Sequence, residues 1–164
     1  MRKMNKLLFL LFISIPALSV AQNTDAQIYH DKVVAEAKLV GGALNDFNSS
    51  LETDSAFLMH NSRASLKKQL DTSIAYLNLL PAYNNDDDWH MALNMQFKFY
   101  RDCVDKEYIK FIDYSLRLSA LNEDEITDFT KMISKLNEKE FGLSQLVDEA
   151  YQDFIKKYKV TPVK

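Results

Sequence analysis

Three glycines and three prolines in 164 residues are too few for a turn-rich β-sandwich, whose tight turns need residues that tolerate positive φ or fix it near −65°. Cysteine is almost absent as well. Cys103 is the only one, so no intramolecular disulfide can form, and a haem attached through a Cys-x-x-Cys-His motif is excluded. Its expected role is that of a small buried hydrophobe. No long apolar run exists either: the longest stretch, Leu7 to Leu18, is shorter than the roughly 20 residues that a spanning helix requires. No phosphate-binding glycine loop, nucleophile elbow or carboxylate dyad is present, so the sequence gives no basis for an enzyme. It implies no cofactor.

What the sequence does contain begins with an address. Arg2, Lys3 and Lys6 precede the apolar run, and Ser19-Val20-Ala21 supplies the small residues that a signal peptidase reads. Residues 1–21 are therefore expected to be a cleaved signal peptide, and 22–164 a single domain in the periplasm, on the outer surface or secreted. Removing the leader takes away three basic residues and no acidic one, so the formal charge moves from −3 to −6. That balance disfavours nucleic acid and anionic lipid as partners, and no transmembrane segment is expected in the mature chain.

Four stretches have helical periodicity. Val33, Ala37, Val40, Leu44, Phe47 and Leu51 make one stripe, with Thr24 and Gln27 as a capping box. Leu66, Leu70, Ile74, Leu77 and Leu80 make a second, capped by Thr53 or Ser55 and ended at Pro81. The third runs from Asp88 to Leu118 behind the acidic cap Asp86-Asp87-Asp88. A capping box at Asn122 and Glu125 opens the fourth, whose stripe includes Ile126, Phe129, Ile133, Leu136, Leu143, Val147, Ala150 and Phe154. Short breaks between long helices predict an all-α fold, an up-down-up-down antiparallel four-helix bundle. The stripes are wider than a coiled-coil seam.

All three glycines fall inside predicted helices, where each costs about 1 kcal/mol relative to alanine. Gly41, Gly42 and Gly142 are expected at matching heights on neighbouring helices 1 and 4, marking a close backbone contact. Glu140 falls on the inward stripe nearby and is expected to turn to the rim, because an unpaired buried carboxylate is costly.

Histidine is the commonest metal ligand, and the topology sorts the three that are present. His30 and His90 begin helices 1 and 3, on inward stripes at one end, whereas His60 begins helix 2 at the other. A three-histidine site is thereby excluded, and the paired Glu-x-x-His motifs of a di-iron bundle are missing. His30 and His90, with Tyr76 or Asn78 and Phe154 or Tyr158 closing the same mouth, remain the candidate metal or small-ligand site. Asn84 to Asp88 does not suit a calcium loop, because Trp89 stands where the turn glycine belongs and Met95 where the bidentate glutamate belongs. The aromatics of helix 3, from Trp89 to Tyr114, read as core.

Leu79-Leu80-Pro81-Ala82-Tyr83, followed by Asp86-Asp87-Asp88 and Ala92, then Phe97-Lys98-Phe99-Tyr100, Asn137-Glu138-Lys139-Glu140 and the run Ala150 to Tyr158, resembles an uncharacterised family of small exported or surface helical-bundle proteins of Gram-negative bacteria. The resemblance implies export and a helical bundle, and transfers no catalytic residue. Members often carry a glycine where this chain has Asn85. The functional expectation is a non-enzymatic module that binds an unknown protein or small ligand. The alternative is a bundle that carries a cofactor or metal on its inward histidines.

Overall fold

The computed structural model describes residues 24–162. The expected signal peptide lies outside the described residues. Among these the chain is all-helical: α1 is Thr24–Ser50, α2 Ala56–Leu79, α3 Asp88–Asp105, α4 Glu107–Leu116 and α5 Glu123–Tyr158, with a 3-10 turn at Leu118–Ala120 between the last two. No described helix is long and apolar enough to cross a membrane.

Apolar spacing makes the first two helices. In α1, Ala26, Tyr29, Val33, Val40 and Phe47 are buried on one stripe, with Ala37, Leu44 and Leu51 half-buried beside it. The expected capping box is not formed. Both ends of the Gln27 amide instead clamp the backbone of Thr161, at 3.1 Å to its carbonyl and 3.0 Å from its N–H, which ties the start of α1 to the end of the chain. Ser55 caps α2 by accepting the Leu58 N–H, and Met59, Leu66, Leu70 and Leu77 form its buried face. At the C-terminus of α2, Leu80 is extended ahead of Pro81, as a residue preceding proline prefers.

Between α2 and α3 the chain reverses in two residues. Tyr83 and Asp86 exchange both backbone hydrogen bonds around Asn84 and Asn85, whose φ values of 51° and 61° are left-handed. Such a turn favours Asn-Gly, and asparagine is the best-tolerated substitute for the glycine. Asn85 therefore preserves the turn without a glycine. The acidic run serves two purposes. Asp87 and Asp88 stand at the positive end of α3 without a side-chain cap bond, whereas Asp86 binds Lys157 and the Tyr158 hydroxyl of α5.

The third predicted helix is two. At Lys106 (φ −127°, ψ −76°) the backbone leaves the helical region, so the described chain has five α-helices rather than the four expected. Arg63 of α2 takes up a carbonyl at the break. Its Nη1 donates to the Val104 carbonyl at 2.8 Å, the group that an unbroken helix offers to the Tyr108 N–H. The redirected α4 stacks Tyr108 on Phe47, ring centroids 4.8 Å apart, and sets Phe111 and Tyr114 against Phe129 of α5.

α1 packs chiefly on α2, α2 on α3 and α3 on α5, with α4 folded against α3 and α2. The capping box at Asn122 and Glu125 forms as the sequence predicts, and Lys159 ends α5 in the left-handed region. The inward stripe of α5 is less buried than its pattern suggests. Only Tyr151 and Phe154 are fully buried, Leu136, Leu143 and Val147 are half-buried, and Ile126 is exposed.

The glycine contact is corrected. Gly41, Gly42 and Gly142 are exposed, and a Cβ placed on any of them meets nothing within 4 Å. α1 and α5 meet through side chains at one end, so no backbone approach is needed at their midpoints. Glu140 also departs from expectation. It stays inward, accepting a 2.6 Å hydrogen bond from Tyr100, and burial holds its carboxyl above the usual range.

Two stability predictions follow from this packing. Gly142→Ala and Gly41→Ala should each raise stability by about 0.5–1 kcal/mol, because the helix gains alanine's propensity at no steric cost; an unchanged or lower thermal midpoint would refute it. Arg63→Ala should destabilise by about 1–3 kcal/mol in urea unfolding, since it strips a partner from the carbonyl of a buried residue.

Candidate functional site

Three helices converge where α1 and α3 begin and α5 ends. The structure brings His30 and His90 to this end, both buried, and leaves His60 exposed at the start of α2. His30 Nδ1 lies 2.9 Å from the Asp31 carboxylate, which only accepts, so this nitrogen carries the proton and Nε2 faces the Tyr151 hydroxyl at 3.3 Å as an acceptor. His90 Nδ1 lies 2.6 Å from the Tyr29 hydroxyl. Burial lowers the pKa of both imidazoles, and it raises those of Tyr29 and Tyr151. All four groups are neutral near pH 7.

Aromatic rings fill the space around them. The His30 ring packs on Trp89 and Tyr151, and Trp89 packs on Phe154 at 5.2 Å. Tyr29 sits between Tyr83 and Phe154, 5.5 Å from each. Of the residues expected to close the mouth, Phe154 and Tyr158 do so, Asn78 hydrogen-bonds Asn94 at 2.6 Å one turn beyond His90, and Tyr76 is exposed. The two histidines thus engage different tyrosines. Among the described residues no group of three or more histidine, cysteine or acidic side chains is placed to hold a metal ion.

Among the described residues, Cys103 is a buried thiol and Glu140 a half-buried carboxylate. Burial pushes the Cys103 thiol up to about 12, so it is not a thiolate at neutral pH, and Glu140 is held by Tyr100.

The open surface lies on the other side of the same rings. α3 and α5 flank a shallow groove of about 850 Å³, floored by Ala92, Ala150 and Phe154. Met91, Met95 and Leu146 line it with more than 40% of their area in water. Asp88, Glu149 and Asp153 stand at its edges with no ion-pair partner among the described residues, while Asp86 is already taken by Lys157. Sequence reasoning missed this groove. The signal that could have found it is Met91 and Met95, one turn apart and just off the Leu93–Phe97 stripe.

The buried histidines make stability pH-dependent with a definite sign. In the unfolded chain they take protons below about pH 6.5, whereas the folded protein refuses them until lower pH, so stability present above 6.5 is lost as pH falls through the folded values. Glu140, with its folded pKa raised, acts in the opposite sense near its own range and offsets part of the loss. Urea midpoints should therefore fall from about pH 7.5 to about pH 5, and less steeply in His90→Gln, which can still bond Tyr29 but cannot titrate. Equal slopes in the variant and the natural protein would refute the assignment.

No family model, curated protein or solved structure matches this chain.

Proposed function

We propose that this protein is an exported, non-enzymatic interaction module whose binding face is the α3–α5 groove. Residues 1–21 are a cleaved leader, and 22–164 form one helical domain in which α3 and α4 together make a broken arm of an up-down-up-down bundle. The carrying observation is the groove itself: three large apolar side chains stand in water beside three carboxylates with no ion-pair partner among the described residues. Single exposed hydrophobes are ordinary on any surface, whereas several lining one depression mark a contact site.

The buried chemistry supports the same reading. His30, His90, Cys103 and Glu140 are bonded or neutralised within the fold, and each is explained by packing. A metal- or cofactor-carrying bundle ranks second, because His30 has both ring nitrogens engaged and His90 has Nδ1 engaged. The leader pattern and the resemblance to small exported bundle proteins support the location.

A photo-crosslinking side chain placed at Met95, in protein expressed in its native envelope, tests the reading. Discrete adducts on a chain beginning at Gln22 are expected, and none from the same group at Thr72 on the outer face of α2. A retained leader in the intact mass, or identical patterns at the two positions, would overturn it.

A further inference from the structure

We infer that the α3–α5 groove takes a cationic amphipathic helix of a partner. This rests on the reading of the groove as the binding face and adds what kind of surface fits it.

Shape comes first. On α5, Leu146, Ala150 and Phe154 are spaced by four residues and make one stripe, and Met91 and Met95 face them from α3 with the same spacing. Two packed helices leave a trough in which a third can seat its apolar ridge. From Leu146 to Lys157 the trough runs about 16 Å at about 1.5 Å per residue, or three helical turns. Methionine is suited to such a surface, because its unbranched, polarizable side chain adapts to the residues that enter, and amphipathic helices are commonly received this way.

Charge then selects the occupant. Asp88 lies one turn before Met91, and Glu149 and Asp153 form a stripe beside the apolar one, so carboxylates flank the floor. None of the three has an ion-pair partner among the described residues; Asp86 and Lys157 satisfy one another, and Lys156 is the one unpaired cation lining the groove. A helix with lysine or arginine flanking its apolar face would meet complementary charge. A second copy of this chain, with its formal charge of −3, or −6 without the leader, would bring more of the same sign.

The test uses the mature protein and a 14-residue leucine–lysine amphipathic peptide, a length of about four turns. Trp89, the only tryptophan, packs on the groove-floor ring of Phe154 and reports through its fluorescence. Saturable 1:1 binding that weakens with added salt is expected. Affinity should fall by about tenfold or more in Met91→Ser plus Met95→Ser, and again in Glu149→Lys plus Asp153→Lys, a loss of about 1.4 kcal/mol or more for each pair. Glu149→Gln plus Asp153→Asn should lie between, and Asp124→Lys plus Glu138→Lys, far along α5, should bind as the natural protein does. All variants are first checked for cooperative unfolding. Equal binding of a scrambled peptide of the same composition, preference for a leucine–glutamate peptide, or a dimer in sedimentation that Met95→Ser dissolves would overturn the inference. If the peptide fails to bind while adducts at Met95 persist, the partner chemistry is wrong and the binding face stands. If both fail, both readings fall.

Discussion

The interlock of Tyr29, Trp89, Tyr151 and Phe154 joins α1, α3 and α5, and much of the molecule's organisation follows from it. α5 is the longest helix, yet its two fully buried residues both belong to this cluster. α1 packs chiefly on α2, so its connection to α5 depends on the rings and on the Gln27 clamp at Thr161. Aromatic pairs contribute about 0.5–1.5 kcal/mol each beyond the area they bury, so a set of contacts among a few rings can hold a long helix by one end. Two histidines are drawn inside with those rings. A tyrosine hydroxyl, at 2.6 or 3.3 Å, then serves one nitrogen of each, and the Asp31 carboxylate, which itself reaches water, serves the other nitrogen of His30.

A second constraint acts at the opposite end. α5, at 36 residues, outruns α3, at 18, and α4, of 10 residues, covers part of the difference after the break at Lys106. Arg63 reaches the Val104 carbonyl, stabilises the break, and lets α4 lean onto α2. Arg117 then binds both Asp113 and Glu125, carrying the end of α4 into the start of α5 through a surface network. Such exposed pairs contribute little each. The ring contacts of Phe111 and Tyr114 with Phe129 are the firmer link.

The helices were legible in the sequence because periodicity and caps are local. Val33, Val40 and Phe47, the Ser55 cap and the Asn122–Glu125 box stand where the pattern put them. The break at Lys106 was not legible, since the carbonyl it frees is met by an arginine 41 positions away whose reach depends on packing. The glycine contact failed for a related reason: propensity marks a weak position in a helix but not which neighbour, if any, compensates. At the histidine end, inward placement of His30 and His90 could be derived by stepping along each stripe. One further step would have reached Tyr29, four residues before Val33, and Tyr151, four after Val147. Their pairing with the histidines remained hidden, because a stripe gives a direction and not a partner.

The histidine end and the groove are two sides of one wall. Phe154 packs inward on Trp89 and Tyr29 and outward forms the floor between Met91, Met95 and Leu146. A ring held from behind by several others cannot sink when something presses on the groove, so the floor is rigid while the methionines above it stay adaptable. Rigid floor and soft walls suit a surface that must hold an apolar ridge without dictating each side chain on it. The neutrality of the histidines belongs to the same arrangement. His30 packs on Trp89 and Tyr151 and His90 on Tyr29, so rings that back Phe154 also bury the imidazoles, and that burial lowers their pKa.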